Sequence, residues 1–319
     1  MPLDRDTLRR LLGVSPLRTA RTSVSRHGAK PLAGGITREE LHLYRGEGPI
    51  PATLLRPAGD GPHPAILYCH AHGNAWSIGR GELLDGRPAL KCGPYGPALA
   101  AAGFVVLCLD MPGHGARRRE GTEAALAKAA LWRGGTLMGR MLEDLAAGLD
   151  ALTADPGVDA GRVGAMGLSM GATHAYWLAA LDDRVSAVAH LCAFADMAPL
   201  LSSGAHDLHG IYMTVPGLLS HGDMGDVAAL IAPRPQFIAY GARDPLTPEE
   251  AISPALARVG AAYGAKEADA RLRILSDPVA GHEETRAMRA ALLSFLRSTL
   301  GRAARCPEDT APQSNPPNA

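Results

Sequence analysis

Short runs of aliphatic residues alternate with longer Ala- and Leu-rich stretches through most of the chain. Continuous apolar runs of four to eight residues are typical of strands covered on both faces, and parallel neighbours require a crossover such as a helix. The pattern therefore predicts an α/β protein with a mostly parallel, doubly wound sheet. The predicted strands are Ala65 to Cys69, Phe104 to Leu109, Arg162 to Met166, Val185 to Leu191, Pro235 to Tyr240 and Arg271 to Leu275.

The N-terminal part of the chain has a different pattern. From Glu39 to Tyr44 and from Ile50 to Arg56, apolar and polar residues roughly alternate, with glycine and proline between the two runs. This predicts an N-terminal antiparallel strand pair. Residues 1 to 35 carry one amphipathic piece around Leu8 to Leu12 and otherwise no periodic signal, which predicts an N-terminal arm.

The second half of the chain gives three further predictions. Apolar residues from Met288 to Leu296 recur at spacings of three and four, which predicts a final helix packed on the sheet. Residues 302 to 319 are rich in Pro and Asn and are predicted to be disordered, so the folded domain should span 36 to 301. The stretch from Ala195 to Pro233 is long for a connection and predicts a lid or pocket-lining insertion.

Composition narrows the class of protein. The 319 residues include 32 Lys plus Arg and 32 Asp plus Glu, and a net charge of zero argues against a nucleic-acid binder. No run of about 18 uncharged apolar residues predicts a membrane span, and the five cysteines lack paired spacing. We therefore expect a cytoplasmic protein with no membrane or nucleic-acid partner. Its balanced charge and Leu-rich N-terminus are compatible with a homo-oligomer.

The strongest local signal is Gly167-Leu168-Ser169-Met170-Gly171, which lies between a predicted strand and an apolar helical stretch. The two glycines remove side chains that would clash in a tight turn, so Ser169 can adopt a strained backbone conformation and expose its Oγ. A chance match is the alternative, because the chain has 37 glycines. The flanking strand and helix favour a nucleophile elbow.

A serine nucleophile needs a histidine base and a carboxylate that orients this base. Asp244 follows the fifth apolar run, and His282 follows the sixth and precedes the final helix. Loops after parallel strands meet at one edge of a sheet, so the sequence predicts a triad of Ser169, Asp244 and His282. As alternatives, Asp244 could cap a turn, His282 could be an ordinary loop histidine, and Asp196 is the competing acid.

An acyl-transfer site also needs two N–H donors for the oxyanion. Met170, directly after the nucleophile, should supply one, and the loop after the first apolar run should supply the other. We predict His72 as this second donor, with Gly73 as the alternative. His70 and His72 could instead form a His-x-His metal pair. No acidic or cysteine ligand follows at metal-site spacing, so we predict neither metal nor cofactor.

Polar side chains cluster again in the predicted insertion. His206-Asp207-Leu208-His209 could hold a metal, but these residues more plausibly line a pocket together with Tyr212 and Met213. The loop from Asp110 to Gly115 predicts a tight turn near the site, and no chemistry is assigned to His114. The predicted substrate-binding residues are His70, Gly73, His206, His209, Tyr212 and Met213.

Together the motifs GLSMG, CHAHG, DMPGHG, ARDPLTP and GHE resemble the α/β-hydrolase superfamily, and within it the dienelactone hydrolase-like and acetyl xylan esterase-like serine hydrolases. The resemblance spans about residues 60 to 300. It implies the α/β-hydrolase fold, with Ser169 as nucleophile, Asp244 as acid, His282 as base, and backbone donors at Met170 and His72. Dienelactone hydrolases proper use cysteine where this chain has Ser169, which favours a carboxylic ester as substrate.

These observations predict a serine hydrolase of the carboxylesterase or deacetylase type, which cleaves a small-molecule ester through an acyl-enzyme intermediate. The same triad could hydrolyse a carbon–carbon bond or transfer the acyl group to an alcohol or amine. A peptidase is less favoured because no β-rich domain precedes the hydrolase region. A non-catalytic ligand-binding module is also less favoured, because binding alone does not require three catalytic groups in register.

Overall fold

The computed structural model describes residues 3–15, 17, 22–46 and 48–301. In this part of the chain nine strands form one sheet, in the order β1-β2-β3-β5-β4-β6-β7-β8-β9. They are β1 (Ser23–Pro31), β2 (Thr37–Tyr44), β3 (Ile50–Arg56), β4 (His63–Cys69), β5 (Val105–Leu109), β6 (Val158–Leu168), β7 (Val185–Leu191), β8 (Gln236–Gly241) and β9 (Leu272–Asp277). Strands β1, β2, β3 and β5 pair antiparallel, whereas all pairs from β5 to β9 are parallel.

The predicted sheet is confirmed. The six apolar runs are β4 to β9, and the predicted antiparallel pair is β2 with β3. Strand β5 explains why these runs are continuous. Val105, Leu107 and Leu109 face one apolar core and Val106 and Cys108 face the other, so both sides of the strand are buried.

Ten α-helices flank the sheet within the described residues. Helices α1, α5, α6, α8 and α9 contribute to the core on one face, and α3 and α10 contribute to the core on the other. The helices are α1 (Arg5–Leu12), α2 (Glu82–Asp85), α3 (Tyr95–Ala101), α4 (Glu123–Trp132), α5 (Leu137–Thr153), α6 (Met170–Leu181), α7 (Met197–Ser203), α8 (Met224–Ala229), α9 (Glu249–Gly264) and α10 (Arg286–Leu300).

The final predicted helix is α10. Thr285 caps its first turn by accepting a hydrogen bond from the Met288 N–H at 3.3 Å. The apolar positions recognised in the sequence, including Met288, Leu292 and Phe295, are buried against the sheet. A cap followed by an apolar stripe at helical spacing therefore defines this element.

Two segments of the predicted N-terminal arm are integral to the domain. The Asp4 side chain caps α1 by accepting from the Thr7 N–H at 2.7 Å, and Leu8 and Leu12 are fully buried in the core. Strand β1 pairs with β2 at the edge of the sheet. The predicted boundary at residue 35 therefore does not mark the edge of the packed structure, because a short helix with two core leucines lies before it. The predicted disordered tail, 302 to 319, lies outside the described residues.

The segment predicted as an insertion connects β7 to β8 and carries α7, α8 and short 3-10 turns. It begins at the carboxyl end of β7, on the same side of the sheet as the loops that follow β4, β6, β8 and β9. Its role as a lid stays a prediction. In the described part of the chain, no helix has both the length and the apolar character needed to cross a membrane.

Candidate active site

Ser169 occupies a sharp turn between β6 and α6. Its backbone has φ 57° and ψ −125°, a conformation that L-residues rarely adopt, and its N–H donates to the Leu191 carbonyl at 2.9 Å. Packing against β4 explains the two glycines. A Cβ on Gly171 would lie 1.9 Å from the Cys69 carbonyl oxygen, and one on Gly167 would lie 2.5 Å from the same atom. Only glycine fits at these two positions.

The three residues of the predicted triad lie together. His282 Nε2 lies 2.9 Å from Ser169 Oγ, and His282 Nδ1 lies 2.7 Å from Asp244 Oδ2. Asp244 is only 2% exposed, and its Oδ1 accepts from the Leu246 N–H at 2.9 Å. Because a carboxylate can only accept, the histidine proton lies on Nδ1, which leaves the Nε2 lone pair directed at the serine hydroxyl.

Asp196, the competing acid in the sequence, belongs to a different network. It is buried, its Oδ1 accepts from the Gly225 N–H at 2.8 Å, and its Oδ2 forms an ion pair with Arg258. These contacts join the start of α7 to α8 and α9. The geometry therefore favours Asp244 as the partner of His282.

Two side chains, Glu82 and Arg87, form hydrogen bonds with the backbone of the loop after β4. The Ala71 N–H donates to the buried carboxylate of Glu82 at 3.0 Å, and Arg87 Nη2 donates to the Ala71 carbonyl at 2.8 Å. The Ala71 N–H is thus occupied, and within the described residues no acceptor is seen for the His72 or Gly73 N–H. Met170 begins α6, where first-turn N–H groups have no intrahelical acceptor and face outward.

His70, which the sequence suggested as a substrate contact, is a buried structural residue. Its ring is fully buried, its Nε2 accepts from the Met111 N–H at 3.2 Å, and its Nδ1 lies 3.0 Å from the Ala71 carbonyl. Burial holds the pKa of this histidine well below its usual value. His70 therefore joins the loops after β4 and β5 and presents no free nitrogen to a substrate.

His72, His114 and Glu123 form the one three-residue group in the described part of the chain that could hold a metal ion, with ligand atoms within 4.8 Å of one another. The Asn74 N–H donates to His72 Nδ1 at 3.0 Å, which places the ring proton on Nε2, 2.6 Å from Glu123 Oε2. Metal binding would need the Nε2 lone pair, and a proton on Nδ1 would oppose the Asn74 donor. The group fits an imidazole–carboxylate hydrogen bond better than a metal site.

Three of the remaining predicted pocket residues line the same cavity. His206, His209 and Met213 line a largely apolar cavity of about 620 Å³, together with Met197 and Leu218. His209 Nε2 lies 3.0 Å from the Leu246 carbonyl, so this cavity borders the loop that carries Asp244. A second cavity, of about 590 Å³, lies beside the loop that contains Gly73 and is lined by residues including Asn74, Trp76, Arg118 and Glu123.

Three residues that support the loop after β4 were missed in the sequence: Glu82, Arg87 and Glu123. The carboxylates of Glu82 and Glu123 contact Ala71 and His72 from 11 and 51 positions away along the chain. No spacing or motif marks them.

Tyr212 was predicted to line the pocket. Its ring is buried and stacks on the His72 ring with a centroid distance of 6.1 Å.

Three buried histidines should make the fold sensitive to acid. Burial lowers the pKa of His114 to about 4 and the pKa values of His174 and His190 to about 3. The unfolded chain binds these protons below about pH 6.5, whereas the folded chain does not, so stability is complete above that pH and falls as the pH drops toward the folded pKa values. At pH 5 we expect each histidine to cost roughly 2 kcal/mol of unfolding free energy.

Urea unfolding at pH 7.5 and pH 5.0 measures this loss. His174 has no hydrogen-bond partner at either ring nitrogen within the described residues, so His174→Leu should reduce the pH dependence. His27→Gln, at an exposed histidine, is the matched control and should leave it unchanged. Equal pH dependence in all three proteins would show that His174 does not contribute to the loss of stability in acid.

The sheet order, the strained serine between β6 and α6, and the loops that carry Asp244 and His282 define an α/β-hydrolase. The sequence profile of the dienelactone hydrolase family matches residues 96–201, from α3 through β5 and the nucleophile turn to α7. A Bacillus subtilis protein named "Putative hydrolase YtaP" is 33% identical over 297 residues, which cover 93% of this chain and 98% of that protein. The chain therefore belongs to the dienelactone hydrolase family.

Solved structures share the fold at low sequence identity. Acetyl xylan esterase 1 from Thermoanaerobacterium sp. superposes with a TM-score of 0.63 at 19% identity, over 93% of this chain and 94% of that one. A glucuronoyl esterase from Solibacter usitatus gives a TM-score of 0.63 at 17% identity, over 90% of this chain and 88% of that one. These similarities confirm the α/β-hydrolase fold along almost the whole chain.

Proposed function

We propose that the protein is a serine carboxylesterase that cleaves a small-molecule ester through an acyl-enzyme intermediate. One observation carries the proposal: His282 lies between Ser169 and Asp244, 2.9 Å from the hydroxyl oxygen and 2.7 Å from the carboxylate. This is the arrangement that converts a weakly nucleophilic hydroxyl into a reactive group.

The reaction follows from these contacts. His282 Nε2 accepts the Ser169 proton as Oγ attacks the ester carbonyl, and the Met170 N–H and a second N–H from His72 or Gly73 stabilise the oxyanion. His282 then returns the proton to the departing alcohol, which leaves the acyl group on Ser169. Water deprotonated by His282 attacks this acyl-enzyme, and His282 returns the proton to Ser169 Oγ as the acid is released. Asp244 keeps the histidine in the correct tautomer and stabilises its cationic form.

The names of similar proteins of known structure support an ester as the substrate. The structural neighbours that cover most of this chain bear names of ester-cleaving enzymes, including acetyl xylan and glucuronoyl esterases. The cavity lined by His206, His209 and Met213 borders the loop of Asp244 through His209, and we place part of the substrate there. A cytoplasmic location, a homo-oligomeric state and the absence of nucleic-acid and membrane partners stay predictions from the sequence.

Two measurements test the proposal together. The folded protein should hydrolyse p-nitrophenyl esters in a series from acetate to octanoate, and a fluorophosphonate should label Ser169, as identified by peptide mass spectrometry. Heat-denatured protein is the control and should not be labelled, because reactivity depends on the assembled triad. Labelling without ester turnover would favour carbon–carbon bond hydrolysis or acyl transfer. Neither labelling nor turnover would favour a ligand-binding module.

A further inference from the structure

Glu123 connects two parts of the site that are far apart in the sequence. It is the first residue of α4, and its side chain is almost completely buried. One carboxylate oxygen, Oε2, lies 2.6 Å from His72 Nε2 in the loop after β4, and the other, Oε1, accepts from the Tyr212 N–H at 3.1 Å in the insertion. A single carboxylate therefore joins the loop that supplies an oxyanion donor to the segment predicted to cover the pocket.

The hydrogen-bonding partners of His72 and Glu123 determine which of their atoms carry a proton. The Asn74 N–H can only donate, so His72 Nδ1 accepts and Nε2 carries the proton that is donated to Glu123. The Tyr212 N–H can likewise only donate. Both carboxylate oxygens therefore act as acceptors, which an ionised glutamate can do and a glutamine cannot, because its amide nitrogen would face a second donor.

The packing around the junction is tight. A Cβ on Gly210 would lie 2.9 Å from Glu123 Oε1, so the backbone of the insertion approaches the carboxylate closely. The His72 ring also contacts the Trp76 ring edge-on, with a centroid distance of 4.3 Å. Because Glu82 and Arg87 already hold Ala71, the contact with Glu123 fixes the loop at its next residue.

We propose that Glu123 is a positioning residue, which sets the backbone N–H group of His72 or Gly73 in the oxyanion hole and holds the insertion against the same loop. The inference rests on the proposed function, since an oxyanion hole has meaning only for acyl transfer. Glu123 acts through His72 and touches no reacting atom. Its loss should therefore affect the transition state more than the binding of substrate.

Glu123→Gln tests this role. We expect kcat for p-nitrophenyl acetate to fall about 10- to 100-fold, less than the ~10²- to 10³-fold loss on removing an oxyanion donor outright. KM should change by less than about threefold, because ground-state binding does not use these donors. The affinity for an alkylboronic acid, which adds to Ser169 as a tetrahedral anion, should fall in proportion to kcat. A merely structural role would lower the melting temperature and leave these ratios unchanged.

Glu120→Gln is the matched control. Glu120 lies three residues before Glu123, and its carboxylate pairs with Arg117 and Arg140, away from the loop after β4. Its kcat should stay within about threefold of the wild type. His72→Phe removes the same hydrogen bond from the other side while keeping the backbone N–H. It provides the test if Glu123→Gln does not fold, and the loss in the double variant should be smaller than the product of the single losses.

The outcomes separate this inference from the proposed function. If the wild type is active and Glu123→Gln is folded with kcat and boronate affinity close to those of Glu120→Gln, Glu123 has no positioning role. A loss confined to KM would also overturn the inference, since it would make Glu123 a wall of the pocket. If the wild type neither hydrolyses esters nor binds the boronic acid, the proposed function fails and the inference fails with it.

Discussion

Ser169→Ala should lower kcat for ester hydrolysis about 10⁶-fold, the scale of loss when the nucleophile of a serine triad is removed. The substitution leaves no atom that can attack the carbonyl and form the acyl-enzyme. The backbone of the turn is set by Gly167, Gly171 and the bond from the Ser169 N–H to Leu191, so the variant should fold. Release of p-nitrophenol, measured after thermal unfolding has confirmed a folded protein, gives the result.

The matched control for this variant is Ser202→Ala. Ser202 lies on α7, is exposed, and its hydroxyl donates to the Ala198 carbonyl of its own helix. Its removal should leave kcat unchanged. If Ser169→Ala kept activity within tenfold of the wild type, hydrolysis would have to proceed through another nucleophile, and the assignment of the nucleophile would be abandoned.

Asp244→Asn should be the second most damaging change, with a loss of about 10⁴ in kcat. The Leu246 N–H donates to Asp244 Oδ1, and in the variant this donor should keep the amide oxygen at that position. The amide nitrogen then faces His282 Nδ1 and donates to it. This forces the ring proton onto Nε2, so the base loses the lone pair that should accept the proton of Ser169.

Kinetics of Asp244→Asn and Asp196→Asn, measured side by side, test this reasoning. Asp196 is buried and pairs with Arg258, so its neutralisation should lower the melting temperature while kcat of the folded enzyme stays within a few-fold of the wild type. The reverse result, with a large kcat loss only in Asp196→Asn, would make Asp196 the orienting acid. It would also require His282 to leave the position it occupies beside Asp244.

The sequence predicted most of the sheet and singled out Ser169, Asp244 and His282, whose side chains lie together, because each of these depends on local patterns. Continuous apolar runs indicate strands that are buried on both faces, and a serine between two glycines indicates a turn in which β4 and β6 pack too closely for side chains. Strand β1 gave no such signal. It lies at the edge of the sheet with almost every side chain exposed, so no hydrophobic alternation was required.

The supporting contacts of the site could not be predicted for a different reason. Glu123 meets His72 and Tyr212 only because α4, the loop after β4 and the insertion converge in space. His70 was misassigned on similar grounds. Its place in a loop near the nucleophile suggested contact with substrate, but the fold directs its ring inward, where Met111 and Ala71 satisfy both nitrogens.

The backbone of the turn at Ser169 does not depend on the serine side chain. The Ser169 side chain makes no capping bond to α6, and the turn is shaped by glycine packing and by a main-chain bond to β7. The hydroxyl is therefore not needed to hold the backbone of the turn. A thiol could replace it by exchange of a single atom, without a change in the scaffold. In this turn the identity of the side-chain atom is therefore independent of the backbone shape that presents it.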